Sequence, residues 1–180
     1  MKEKNLTIKE IFALAFKHHQ KNNLKKAENL YKKILTIDSK HLETIFLLGS
    51  LSVQTKSFDR AIQLFNKVIE INPNHANAYH NLGFVFTALG EYEKAITSCQ
   101  KAIEIQPNYA EAYYNLGNVF KQLGEFKEAK NSYQKTVDIQ PNNVNAHNNL
   151  GNVLKQLGAF KEAIDCYQKA IQIQPNHKEA

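Results

Sequence analysis

The sequence predicts an all-α array of repeated helix pairs, and three observations carry that prediction. The 180-residue chain matches itself at a shift of 34 residues; the apolar residues within each period recur at helical spacing; and glycine and proline fall at fixed places in most periods. Each period is too short to bury an apolar face alone, so neighbours must stack on one another.

The shift is set by Asn81-Leu82-Gly83, Asn115-Leu116-Gly117 and Asn149-Leu150-Gly151. It also aligns Pro73, Pro107, Pro141 and Pro175, and Ala27, Ala61, Ala95, Ala129 and Ala163. Five repeats follow: residues 8–41, 42–75, 76–109, 110–143 and 144–177. A leader, residues 1–7, precedes them, and residues 178–180 read as the start of a sixth.

Repeat four shows the pattern inside a period. Ala112, Tyr113, Leu116, Val119, Phe120 and Leu123 recur every three or four residues and define one helix face. Gly124 sits where a helix C-terminus favours positive φ; Gly90 and Gly158 hold the same place, and Asn22 and Lys56 replace it in repeats one and two. A second apolar run, Phe126, Ala129, Tyr133 and Val137, ends at Ile139-Gln140-Pro141, because proline lacks the N–H that continues a helix and disfavours helix at the residue before it.

A glycine inside a helix costs about 1 kcal/mol relative to alanine, so its recurrence needs a packing reason. Gly49, Gly83, Gly117 and Gly151, with Ala15 in repeat one, are expected to face the recurring alanine of the second helix and let the two backbones approach.

The order aromatic, Leu, Gly, aromatic, Ala, aromatic, Ala, Pro resembles the tetratricopeptide repeat. Repeat four gives Tyr113, Leu116, Gly117, Phe120, Ala129, Tyr133, Thr136 and Pro141; repeat three gives Tyr79, Leu82, Gly83, Phe86, Ala95, Cys99, Ala102 and Pro107. Repeat five also matches closely, repeat two more loosely, and repeat one, with Ser39 at the proline place, least. The resemblance implies a right-handed superhelical α-solenoid whose first helices line a concave groove, and a protein-binding scaffold rather than an enzyme.

The groove residues expected on that architecture change along the chain. Repeats three to five carry Asn77, His80, Asn81, Tyr114, Asn115, Asn118, Lys121, Asn148, Asn149, Asn152 and Lys155. Side-chain amides both donate and accept, so Asn81, Asn115 and Asn149 can form a ladder that pairs with a peptide backbone of any sequence. At roughly 0.5–1.5 kcal/mol net per hydrogen bond, three to five such bonds predict micromolar binding. The competing reading keeps these asparagines only to satisfy neighbouring polar groups. The wording Tyr-Asn-Leu-Gly-Asn (114–118) and Asn-Asn-Leu-Gly-Asn (148–152) is similar to the superhelix of O-linked N-acetylglucosamine transferases and SPINDLY-like proteins, which implies recognition of an extended polypeptide, potentially on behalf of a larger enzyme.

Repeats one and two place Phe12, Phe16 and Phe46 on the equivalent stripe, joined by Phe84 in repeat three, and this apolar stretch predicts an anchor for a partner side chain or a dimer contact. The Lys and Asn positions do not reproduce the carboxylate clamp of tetratricopeptide co-chaperones. Ile164, Tyr167 and Ile171 are expected to be exposed on the last helix, which suggests a fragment of a longer protein or an array that self-associates.

Chemistry is not predicted. The seven histidines, among them His41, His75 and His177 at the same repeat end, show no i, i+4 metal-site spacing; no phosphate loop, nucleophile elbow or dinucleotide fingerprint is present. No cofactor or metal is therefore expected. Cys99 reads as a small buried hydrophobe, and with Cys166 makes too few cysteines for a disulfide framework, which suits a reducing, cytoplasmic setting. The formal charge of +6 is concentrated in residues 1–41, with ten lysines against four acids, rather than striped along the array, which argues against nucleic acid as the partner. No apolar stretch approaches membrane-spanning length.

Overall fold

The computed structural model describes residues 6–174, and all ten elements in that range are α-helices. Pro175, His177 and the expected start of a sixth repeat at 178–180 lie outside the described residues, as does most of the leader. The chain divides into two compact units, Met1–Asn81 and Leu82–Ala180, with the division inside the fifth helix.

The first unit contains α1 (Ile8–Gln20), α2 (Leu24–Ile37), α3 (Leu42–Gln54), α4 (Phe58–Ile71) and the opening of α5 (Ala76–Leu89). A capping box starts α1: Thr7 Oγ1 accepts from the Glu10 N–H at 3.3 Å, and Glu10 Oε2 accepts from the Thr7 N–H at 2.8 Å. Ile11, Ala15, Ala27, Tyr31, Ile34, Leu48 and Leu51 form one buried cluster across three of these helices. Burying each large aliphatic side chain among them contributes about 1.5–3 kcal/mol, which helix propensity alone does not approach.

The second unit contains the remainder of α5 with α6 (Tyr92–Ile105), α7 (Ala110–Leu123), α8 (Phe126–Ile139), α9 (Val144–Gln156) and α10 (Phe160–Ile173). Its C-terminal core gathers Ala129, Tyr133, Leu150, Val153, Leu154 and Ala163.

All five turns between paired helices place one residue in the left-handed region: Asn22 (φ 58°), Lys56 (56°), Gly90 (75°), Gly124 (76°) and Gly158 (77°). In each, the next residue's N–H reaches back five residues, as Glu125 does to the Phe120 carbonyl at 2.9 Å, so the turn geometry persists where the glycine does not. The second helices close alike. Asn72, Gln106 and Gln140 are extended before their prolines, and Asp38 adopts the same conformation (φ −132°, ψ 96°) before Ser39.

The expectation that the recurring glycine faces the recurring alanine needs correction. A Cβ on Gly117 would lie 2.7 Å from the Tyr133 ring, on Gly151 2.6 Å from Tyr167 and on Gly49 2.7 Å from Phe65, while on Gly83 it would meet Cys99 Sγ. The glycine therefore makes room for the bulky side chain one turn beyond the alanine. A helical side chain leans toward the N-terminus of its own helix, which carries that ring back over the glycine.

Successive second helices are bridged by ion pairs at one repeated place with the charges exchanged. In the first unit, Arg60 Nη1 lies 2.6 Å from Glu28 Oε1; in the second, Lys130 Nζ lies 3.5 Å from Glu162 Oε2. Glu28 also holds Lys32 at 2.9 Å, and hydrogen bonds from Lys32 and then Arg60 keep its carboxyl below the usual range.

On α10, Phe160, Ile164 and Ile171 are exposed, as expected for the two isoleucines. Tyr167 is half-buried instead, because its ring packs over Gly151. Cys99 is fully buried, burial pushes its thiol up to about 12, and both Cys99 and Cys166 are free thiols.

Candidate binding faces on the first helices

In the second unit the candidate site is a hydrogen-bonded polar face on α7 and α9. The Tyr133 hydroxyl donates to Asn118 Oδ1 at 2.7 Å, and the Tyr167 hydroxyl donates to Asn152 Oδ1 at 2.9 Å. Each tyrosine stands on the second helix of a repeat, fifteen residues after the asparagine on the first. With its carbonyl oxygen held, each amide must direct its N–H2 group away from the tyrosine. Burial raises both phenols above their ordinary range, so both remain protonated donors.

Asn149 joins successive first helices. Its Nδ2 donates to the Tyr114 hydroxyl at 2.9 Å and to Asn118 Oδ1 at 3.4 Å, and its Oδ1 accepts from Lys121 Nζ at 3.3 Å. The ladder read from the sequence is redrawn accordingly. Asn115 and Asn148 are buried, because Ala112, Asn115, Leu116 and Val119 recur at the spacing of the core stripe and Asn148 lies between buried Ala146 and Leu150 on α9. Asn118 and Tyr114 are half-exposed, and Asn152 and Lys155 exposed. Phe84, on α5, is exposed in the same unit.

In the first unit the corresponding face is apolar and edged by histidine. Phe12 and Phe16 stack with centroids 6.5 Å apart on α1. Phe46 on α3 packs against Phe65 at 5.8 Å. Phe16 is exposed, while Phe12 and Phe46 are half-buried. With Leu47, Glu43 and His75 these rings surround a groove of about 310 Å³. Asn77 is exposed and His80 and Asn81 are half-buried at the start of α5.

Three histidines at this face gain a role that the sequence reading did not assign. His41 and His75 are helix N-caps: His41 Nδ1 lies 3.4 Å from the Thr44 N–H, and His75 Nδ1 accepts from the Ala78 N–H at 3.1 Å. An Nδ1 that accepts leaves the neutral ring's proton on Nε2. The rings lie over Phe12 at 5.6 Å and Phe46 at 4.9 Å. Burial lowers His75 below its ordinary value, with Glu43 partly opposing. His19 is buried, its Nδ1 stands 3.2 Å from the Tyr31 hydroxyl, and its Nε2 makes no geometrically sound hydrogen bond. Recurrence of histidine 34 residues apart just ahead of a helix was the available signal for the caps; His19 offered none.

Among the described residues no group of three or more His, Cys, Asp or Glu side chains is placed to hold a metal ion, and no helix is long and apolar enough to cross a membrane.

Stacked helix pairs presenting first-helix side chains define a helical-repeat protein-interaction scaffold. Comparison with known proteins makes this specific: the chain belongs to the tetratricopeptide-repeat family. The family pattern described as TPR repeat matches residues 85–124 and 117–158, and the one described as tetratricopeptide repeat matches 144–177. A third pattern, described as anaphase-promoting complex, cyclosome, subunit 3, matches residues 20–102. A crystal structure of MamA is 30% identical over 89% of this chain and 94% of that one, with a TM-score of 0.80. MamA from Desulfovibrio magneticus RS-1 shares the fold at 21% identity, covering 95% of this chain and 97% of that one, with a TM-score of 0.83. YrrB, described as a TPR protein with an unusual peptide-binding site, shares it at 24% identity, 93% and 87% coverage and a TM-score of 0.72. No curated protein matches the chain in sequence.

Proposed function

We propose that this chain binds an extended segment of a partner protein on its first-helix faces, with the Asn118 and Asn152 amides donating to the partner's backbone carbonyls. The observation that supports it is the pair of tyrosine-to-asparagine bonds, Tyr133 to Asn118 and Tyr167 to Asn152, which fix both amides before any partner arrives. Pre-organisation of this kind lowers the ordering cost of association. The peptide-binding site in the printed description of YrrB, a protein of the same fold, is consistent with such a use. Binding through main-chain acceptors is weakly selective for sequence. Scaffolds of this class are generally non-enzymatic, and a cytoplasmic setting remains part of the proposal.

The test is peptide binding by the full chain after selection from a random dodecapeptide library displayed on phage. Asn118→Ala with Asn152→Ala is expected to weaken the selected peptides at least tenfold with an unchanged circular-dichroism melt. Tyr133→Phe with Tyr167→Phe is expected to weaken them several-fold by freeing the amides to rotate. Unchanged affinity in both double variants would remove the amides from the site.

A second reading, self-association, is favoured by the exposed Phe160, Ile164 and Ile171 on α10. Light scattering over a dilution series tests it, and a mass that stays monomeric at every concentration removes it. Service to a larger glycosyltransferase-like enzyme rests on the resemblance of residues 114–118 and 148–152 alone.

A further inference from the structure

Three neighbouring cavities in the first unit share their walls and form one continuous groove over α1 and α3. The first, about 440 Å³, is bounded by Ile8, Lys9, Phe12, His41 and Glu43. The second shares Phe12 and Glu43 with it and adds Phe16, Phe46, Leu47 and His75. The third, about 490 Å³, shares Phe16 and Leu47 and ends on His19, Gln20, Asn22, Ser50 and Gln54. Chemistry changes stepwise along it: cationic and donor-rich where α1 and α3 begin, apolar in the middle, amide-lined where they end.

The cationic end is assembled from several sources. Lys9 stands on its wall, and His41 and His75 each carry their proton on Nε2 because Nδ1 is committed to a helix cap. Helix N-termini add partial positive charge to this end. Glu43 is the one acid on these walls, and it stands 3.6 Å from His41 Nδ1. At the opposite end, His19 is nine-tenths buried and its Nε2 makes no sound hydrogen bond, a group for which a ligand acceptor would supply the missing contact. The wider field agrees in sign. Residues 1–81 hold 13 basic and 7 acidic side chains, whereas residues 82–180 hold 10 of each, so the whole excess of +6 belongs to the unit that carries this groove.

We propose that the groove of the first unit takes an acidic segment of a partner protein bearing one bulky apolar side chain, the side chain seated among Phe12, Phe16, Phe46 and Leu47 and a carboxylate at Lys9, His41 and His75. A main-chain carbonyl of the same segment accepts from His19 Nε2. The partner chemistry follows from complementarity: an apolar middle rewards a large side chain, and a cationic, donor-rich end in a basic unit steers a negative one. This rests on the reading that first-helix faces bind peptides, and it adds the sequence preference that main-chain recognition by asparagine lacks.

The experiment is the same dodecapeptide selection on the full chain, read as sequence enrichment and followed by fluorescence anisotropy of an enriched peptide. Enrichment of Asp or Glu near Leu, Phe or Trp is expected. For such a peptide, Phe16→Ser is expected to weaken binding at least tenfold and Lys9→Glu about tenfold, the latter with a flattened salt dependence, while Glu43→Gln tightens it several-fold. Both Phe16 and Lys9 are exposed, so these variants keep the fold, with a thermal melt as control. Selection of no peptide overturns the peptide-binding reading itself. Peptides selected without the acidic and apolar signature, or indifferent to Phe16→Ser and Lys9→Glu, overturn the assignment of this groove and leave that reading standing. Displacement of the enriched peptide by a labelled 20-nucleotide RNA that binds more tightly than it does would likewise overturn it.

Discussion

The two units use the same helical frame and finish it differently at one repeated contact. At the bulky position of the second helix, repeats one to five carry Tyr31, Phe65, Cys99, Tyr133 and Tyr167; fifteen residues earlier stand Phe16, Ser50, Phe84, Asn118 and Asn152. In the second unit the tyrosine hydroxyl finds asparagine and holds a polar face in place. In the first unit Phe16 leaves Tyr31 nothing to bond, and its hydroxyl lies against His19 instead. The frame tolerates either because the ring fills the same space; the hydroxyl's partner decides whether the face beyond is wet or dry.

The largest expected effect concerns the space behind those rings. Gly117→Ala would place a methyl 2.7 Å from a fully buried Tyr133 ring tied to Asn118, and overpacking of this kind costs about 1–3 kcal/mol. Gly151→Ala is expected to cost less, since Tyr167 is only half-buried and can swing outward. Urea denaturation of both variants checks the order, and equal losses would mean that the ring's surroundings do not matter.

Next comes the cap that distinguishes the first unit. His75→Ala is expected to cost about 1 kcal/mol, and His75→Asn, with another acceptor side chain, to restore most of it. Burial lowers His75, so the unfolded chain binds the proton more readily. Stability from this group is therefore full above the ordinary histidine value of about 6.5 and is lost as pH falls through it toward the lower folded value. Wild-type melts are expected to drop faster than those of His75→Asn between pH 7 and 5. Parallel curves would place the pH sensitivity elsewhere.

Two smaller effects compare the turns. Lys56 occupies a left-handed conformation that glycine fills in the second unit, so Lys56→Gly is expected to raise stability by about 1 kcal/mol. The same substitution at Asn22 is expected to gain less, since asparagine tolerates this region. Ser39→Pro follows a residue already extended as its proline-preceding counterparts are, and is expected to gain about 0.5 kcal/mol by restricting the unfolded chain. A lowered melting temperature for either variant would show that its turn is held by something other than local backbone preference.

How far the sequence could be read differs by level. The helix pairs were legible because period, apolar spacing and punctuation are local and repeat; the structure shows them even in repeat one, where proline and both glycines are missing. The candidate groove was legible as a stripe but not at its margins. Asn115 and Asn118 lie three residues apart on one helix, yet the first joins the core stripe and the second meets Tyr133. A rotation of some tens of degrees separates the two outcomes, and helical spacing does not resolve that.

The sequence by itself determined the 34-residue frame, the helix boundaries, the left-handed turns and the concentration of charge in the first 41 residues, all of which depend on residues close together in the chain. Only the tertiary structure decided that the glycines face aromatic rings rather than alanines, that Tyr133 and Tyr167 orient asparagines while Tyr31 lies against a histidine, and that His41 and His75 cap helices beside phenylalanine. Those contacts span twelve to thirty residues of sequence, and their geometry is set by how two packed helices register against each other, a quantity that no local pattern encodes.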